Sequence, residues 1–208
     1  MGKGLSSLLA VWGLRLGLIM PLVMLLAGLF YRLQIFDFRI ALLIFAVAVL
    51  ITMLAALFGL IGVIGGMRGS HTKTMQAVAG LVVALAVLIV PINTVRQGAG
   101  VPMIHDITTD LEDPPTFVEI PRKRLSSDNS LEIDAEVLAA QKAYYTDIGP
   151  TILALAKPEA FSRVRAAVEL SGWQVHAEKA NLGYIEATAT TPFFGFRDDV
   201  VIRLTDQS

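Results

Sequence analysis

Three long runs without a charged side chain constrain this chain more than anything else in it. Residues 40–67 place 28 uncharged positions between Arg39 and Arg68, and residues 74–95 place 22 between Lys73 and Arg96. About 20 apolar residues carry a helix across a hydrocarbon core of about 30 Å, so each run is long enough to span. A third run is interrupted: 16 uncharged residues separate Arg15 from Arg32, and the apolar pattern continues through Arg15 back to Leu5. Roughly two turns inside the boundary, Arg15 can snorkel its long side chain to the headgroups. The runs predict three transmembrane α-helices, at about 8–30, 41–66 and 75–95. A cleaved secretory signal peptide is the rival reading of the first. The length of the run, its interruption by Arg15 and the lack of an Ala-x-Ala site before Tyr31 argue against it.

Charge divides the chain in two. Residues 1–96 hold seven Lys/Arg and one acid, Asp37, whereas residues 97–208 hold ten Lys/Arg and 17 Asp/Glu. The formal net charge of −1 therefore hides a basic apolar half at +6 and an acidic polar half at −7. A single soluble globule is excluded, and an acidic half is a poor surface for nucleic acid. With no cysteine, disulfides, thiol nucleophiles and thiolate metal sites are excluded as well. Basic loop residues set the expected orientation. A cytoplasmic N-terminus puts Lys3, Arg15, Arg68 and Lys73 on the inside and Arg32, Arg39 and Arg96 on the outside. This narrow bias places the acidic domain in a bacterial periplasm or an equivalent space, beyond the cytoplasmic membrane.

No Asp, Glu, His or Lys lies inside any predicted span. Proton relays and ion-coupled transport need such groups, so the spans read as anchors rather than as a transporter. Gly13/Gly17, Gly62/Gly66 and Gly80/Ala84 are small-residue pairs at helical spacing, which let helix backbones approach closely. Packing of the three helices on each other is the simpler use; docking to a membrane-protein partner or to a second copy is the other. Pro91 is expected to tilt the exit of the third helix.

After Arg96, Gln97-Gly98-Ala99-Gly100 reads as a hinge. Val101 to Pro115 is the densest polar stretch, and its prolines predict an extended, turn-rich strap. A second loop, Pro121 to Ser130, carries Arg122-Lys123-Arg124. Asp134 can cap a helix running to about Tyr144, and Pro158 with Glu159 suits the start of another that stops at Gly172. Ile148–Leu155 is expected to add a short helix. Strands are predicted at Trp173–Ala177, Tyr184–Thr190 and Val200–Leu204, with a turn at Asn181-Leu182-Gly183. Residues 101–208 thus predict a small α+β domain with an antiparallel sheet behind three transmembrane helices.

Two motifs are specific enough to carry a resemblance. One is Ile104-His105-Asp106-Ile107-Thr108-Thr109-Asp110 with Glu112-Asp113-Pro114-Pro115. The other is Gly172-Trp173, then Ile185-Glu186-Ala187-Thr188, then Phe194-Gly195-Phe196-Arg197-Asp198-Asp199-Val200-Val201-Ile202-Arg203. Over about residues 101–205 the chain resembles the bacterial, membrane-attached branch of the family called domain of unknown function 1499. The resemblance implies a domain on or outside a membrane and no established activity, substrate or cofactor. Members usually continue past the Asp-Asp strand into an Arg-Ser-x-Ser-Arg-x-Gly-x-Ser-Asp-x-Gly-x-Asn segment and a closing helix. This sequence stops at Ser208, so either it is truncated or this member lacks that segment; truncation is expected to leave Val200–Leu204 as an exposed edge strand.

His105, Asp106, Asp110, Glu112 and Asp113 place five metal-ligand types within nine residues. Their spacing matches neither a calcium-binding EF-hand loop nor the H-E-x-x-H helix of zinc peptidases. Asp and Thr side chains satisfying backbone donors in the strap are the simpler explanation of the composition, ahead of a binding surface or a metal site. Asp198 and Asp199, as strand neighbours, point to opposite faces. One is expected to cap the Phe194–Arg197 turn and the other to pair with Arg197 or Arg203. Nucleophile elbows, Walker loops and dinucleotide fingerprints are absent. His176 reads as a packed or surface residue, and Trp173, Tyr184, Phe193, Phe194 and Phe196 as core and hinge packing. Phe193–Phe196 and Arg122–Arg124 have a second reading as contacts with membrane lipids.

The expected function is an interaction or assembly module, with no catalytic residue and no cofactor. Its candidate binding residues are His105, Asp106, Thr108, Thr109, Asp110, Asp113, Asp198 and Asp199. The alternatives are a metal-assisted hydrolase using His105, Asp106 and Asp110, and a lipid-binding module with an apolar cavity beneath helix 158–171.

Overall fold

The structure is a computed structural model that describes residues 3–67, 71–124 and 128–206. Arg68, the middle of the Pro121–Ser130 loop at 125–127, and Gln207 and Ser208 lie outside them. The chain divides into two compact units: one holds residues 1–100 with Pro192–Gly195, the other Val101–Thr191 with Phe196–Ser208.

In the first unit, α1 (Lys3–Arg32), α2 (Phe38–Gly66) and α3 (His71–Gly98) pack on one another. All three are long and apolar enough to cross a membrane. Asp37, the one acid of this half, starts α2 by accepting from the Arg39 amide at 2.7 Å and the Ile40 amide at 3.0 Å. Small residues occupy the helix contacts: Ala10, Ala55, Ala77 and Ala84 are fully buried. A Cβ on Gly80 would stand 2.6 Å from the Leu14 nitrogen, and one on Gly62 2.9 Å from the Ala77 Cβ. Meanwhile Leu43, Leu50, Leu85 and Val90 are more than half exposed. Small residues inside and large apolar ones outside suit a hydrocarbon solvent, where close backbone packing holds helices together. The small-residue pairs thus serve contacts among the three helices. The segment Pro192–Gly195 joins this unit through its rings: Phe45 lies 5.9 Å from Phe193 and 5.4 Å from Phe194. The expected hinge at 97–100 is shorter than predicted, because α3 continues through Gly98.

The second unit contains α4 (Ala135–Tyr144), α5 (Lys157–Leu170) and a sheet of β1 (Gln174–Lys179), β2 (Tyr184–Thr190) and β3 (Arg197–Arg203) in antiparallel order β1-β2-β3. Asp134 caps α4 by accepting from Val137 N at 2.8 Å. The C-terminus of α5 closes with paired bonds, Gly172 N to Glu169 O and Trp173 N to Val168 O. Gly172 takes φ +69° there, a value that glycine adopts without a Cβ penalty. No helix forms at 148–155: the Gly149-Pro150 pair disfavours α backbone at 149, and Pro150 lacks an amide to donate. β3 begins at Arg197 rather than Val200, because Thr191 and Phe196 close the hairpin and Thr190 pairs with Arg197. Leu204, predicted as the end of that strand, lies just beyond it.

The register sorts the sheet into two faces. Glu178, Ile185 and Ile202 are aligned on one face, which α5 covers: Arg165 of α5 bonds Glu178 at 3.1 Å. Ala160, Phe161, Val168, Ile185 and Ala187 supply the buried apolar core. On the other face stand Tyr184, Glu186, Thr188, Asp199, Val201 and Arg203, under the strap and a 3-10 turn at Ile120–Lys123. Middle strand β2 is therefore buried on both faces from Ile185 to Thr188.

Candidate functional site

Glu186 is fully buried in the centre of β2, flanked by Ile185 and Ala187. A lone buried carboxylate is costly, so its partners decide its state. Its Oε1 accepts from Val118 N at 2.5 Å and Glu119 N at 3.0 Å, and its Oε2 from Ile120 N at 2.7 Å. The Tyr184 hydroxyl completes the set and also reaches Thr116 O at 3.0 Å. Burial alone would raise the pKa of Glu186. The Tyr184 hydroxyl and the three amides outweigh it, holding the carboxyl below its usual range. Burial, then the bond to Glu186, pushes the Tyr184 phenol upward. This pair fastens the 3-10 turn onto the sheet.

One register step along, Thr188 starts a second network. Its hydroxyl donates to Asp199 Oδ1 at 2.7 Å and lies 2.8 Å from His176 Nε2. Asp199 Oδ2 takes Arg124, whose guanidinium also donates to Asn129 O at 2.6 Å. Lys123 Nζ stands 3.2 Å from His176 Nδ1. An ammonium has no lone pair, so Nδ1 accepts and Nε2 carries the ring proton. His176 reaches this place because the β1–β2 register slips between Val175 and Ala177, a bulge that re-aims the extra side chain. A cavity of about 170 Å³ opens here, lined by Ile120, Lys123, Arg124, Gln174, His176, Thr188, Arg197 and Asp199. Three cations face one carboxylate, and both oxygens of that carboxylate are already engaged. The arrangement offers donors to a ligand, and the one lone pair of its imidazole, on Nδ1, is already engaged by Lys123.

The strap residues serve a different end. The backbone of Thr108 is bonded on both sides by the buried Gln141 amide, N–H to Oε1 at 3.0 Å and C=O from Nε2 at 2.5 Å. Asp110 accepts from the amides of Asp113 (3.0 Å) and Glu112 (3.2 Å). Arg203 of β3 then clamps Asp110 at 3.1 Å and the Asp113 carboxylate at 2.9 Å. The Asp113 amide is the largest cause holding Asp110 below its usual pKa; desolvation opposes it, and the Glu112 amide and Arg203 assist. His105 and Thr109 are exposed and Asp106 is half-buried. Among the described residues no group of three or more His, Asp and Glu is placed to hold a metal ion. Asp198 is exposed on β3, opposite Ala189. The Asp198–Asp199 expectation is corrected in both parts: Thr191 closes the turn, and the cation on Asp199 is Arg124.

The sequence placed Glu186 and Thr188 only within the motif that carries the resemblance and Arg124 only in a loop with a second reading at lipids, and did not single out Gln141. A carboxylate between two apolar strand residues was the one visible signal. The strap acids and Asp199 end up in separate networks, on Arg203 and Arg124.

Residues 106–208 match the model of a family described as a protein of unknown function, DUF1499. This segment belongs to that family. No significant match was found among curated proteins or among solved structures. Both networks, the Arg203 clamp and the cavity lie within the DUF1499 segment.

Proposed function

We propose that this chain is a membrane-anchored binding module without catalysis of its own. Its DUF1499 domain is presented at the cell envelope, on the periplasmic face of a bacterial cytoplasmic membrane, to engage a partner through the polar face of the sheet. The observation that carries the reading is the pairing of Lys123 with His176 Nδ1 beside an Asp199 already taken by Thr188 and Arg124. Donors converge on an open concavity, and no free base stands beside them. Two further considerations fit. Asp110 and Asp113 of the strap are spent on fastening it, which favours a scaffold over the metal-assisted hydrolase. The apolar face of the sheet is occupied by buried Phe161, Val168, Ile185 and Ala187, which argues against the lipid-binding alternative.

The test is site-specific photocrosslinking in intact cells. A photoreactive side chain at Gln174 or Arg197, on the cavity rim, should give a discrete adduct. The same group at Leu170, 90% exposed on α5, should give none. Equal adducts at all three positions, or none at the rim, would remove the basis for the proposal.

A further inference from the structure

We infer that the cavity on the polar sheet face is an anion site built for a phosphoryl group, which rests on the binding reading above and names its ligand chemistry. The charge count comes first. Lys123, Arg124 and Arg197 against Asp199 leave the lining at a formal +2, inside a half of the chain whose formal charge is −7. A positive concavity is thus no by-product of a basic composition.

Next comes the use of each cation. Arg124 is mostly buried and engaged by Asp199 and the Asn129 carbonyl, so it sets the floor of the site. Lys123 is exposed, its one polar contact among the described residues being His176 Nδ1. Arg197 is exposed, and its side chain forms no hydrogen bond or ion pair among the described residues. An ammonium and a guanidinium brought to one cavity from the 3-10 turn and from β3 can meet an anion from two sides. The Gln174 amide adds a neutral donor from β1. A tetrahedral dianion balances both spare charges, whereas a single carboxylate leaves one unmatched. Space is sufficient: about 170 Å³ is many times the ~10–15 Å³ that holds one water. Asp199 does not repel such a ligand strongly, because Thr188 and Arg124 occupy its two oxygens.

A phosphoryl group reaches this site either as free phosphate or its soluble esters, or as a lipid headgroup, and one experiment separates the two. Full-length protein in a non-ionic detergent is titrated calorimetrically with inorganic phosphate and, in parallel, with short-chain phosphatidic acid, a phosphomonoester lipid that can carry the same double charge. Saturable binding of either ligand is expected, weakened about tenfold or more in both Lys123→Ala and Arg197→Ala. Arg197→Glu should abolish it. Binding confined to phosphatidic acid assigns the site to headgroups, binding confined to inorganic phosphate to soluble phosphate or its esters, and binding of both to phosphoryl groups in general. Hydrogen exchange over β2 should be unchanged in all three variants, since these exposed side chains hold no part of the sheet. No saturable binding of either ligand, or binding that the variants leave intact, overturns the inference. Rim photocrosslinks that persist in that case would keep the binding reading and reject only the phosphoryl ligand.

Discussion

Glu186 stands where a carboxylate is least tolerated, in the middle strand of a sheet covered on both faces, and its ionised state is held by four donors. Removing it leaves three backbone amides without their acceptor and leaves the Tyr184 phenol only Thr116 O. Each unsatisfied buried group costs about 1–3 kcal/mol, so Glu186→Ala should destabilise the DUF1499 domain by roughly 3 kcal/mol or more. Tyr184→Phe removes one donor of four and should cost about 1 kcal/mol. Hydrogen exchange of residues 116–124 in the full-length protein reports both losses, and protection equal to wild type in Glu186→Ala would contradict the assignment. The pH dependence follows from the direction of the shift. A folded carboxyl held below its ordinary value of 4.5 stabilises the domain above that value. That stabilisation is lost as the pH falls through the lower folded value. Asp110 acts in the same sense from an ordinary value of 3.8. Wild-type protein should therefore lose protection steeply below about pH 4.5, and Glu186→Gln should flatten that slope at the expense of stability at neutral pH.

Among the elements, those whose local signals agree were legible in advance and those that depend on partners were not. The cap at Asp134, the start at Pro158, the stop at Gly172 and the alternation of Tyr184–Thr190 are each written within a few residues, and each occurs where expected. Arg197-Asp198-Asp199 carries no apolar alternation, because its strand faces solvent and the polar strap network, so the start of β3 was hidden. The alternation of β2 marked a strand, yet its polar face is buried, and only the amides at 118–120 explain why. The same reasoning covers the strap, where Arg203 supplies the role of Asp110 and Asp113, and Gln141 that of the Thr108 backbone, from distant positions. Gln141→Leu tests this at the scale of the element. It deletes both bonds to the Thr108 backbone while preserving size, and should raise hydrogen exchange across residues 106–113 with little change in β2. Unchanged exchange there would mean that Gln141 does not hold the strap. In the helical unit, Gly80→Val places a branched side chain where even a Cβ would sit 2.6 Å from the Leu14 nitrogen. It should lower the thermal midpoint of the purified protein in detergent by several degrees or disperse the three helices.

At the scale of the whole molecule, three helices long and apolar enough to span predict, if all three cross, which loops share a side of the membrane. The α1–α2 connection and the DUF1499 domain must then face one compartment, and the α2–α3 connection the other. Absence of cysteine makes this directly readable, because any introduced thiol is unique. Ile35→Cys, Met67→Cys and Leu170→Cys change side chains that are 59%, 78% and 90% exposed. In spheroplasts treated with a membrane-impermeant maleimide, Ile35→Cys and Leu170→Cys should be labelled and Met67→Cys only after permeabilisation. The split between positions tests the three crossings; its sign tests the orientation. The basic residues favour an inward α2–α3 connection by four to three, a margin small enough that one added arginine near residue 35 should scramble the labelling. Labelling of Met67→Cys and Leu170→Cys from the same side would contradict three crossings, since no orientation of the chain allows it. The reverse pattern, with only Met67→Cys labelled, would keep the helices as spans and move the DUF1499 domain, with its basic cavity, to the cytoplasmic face.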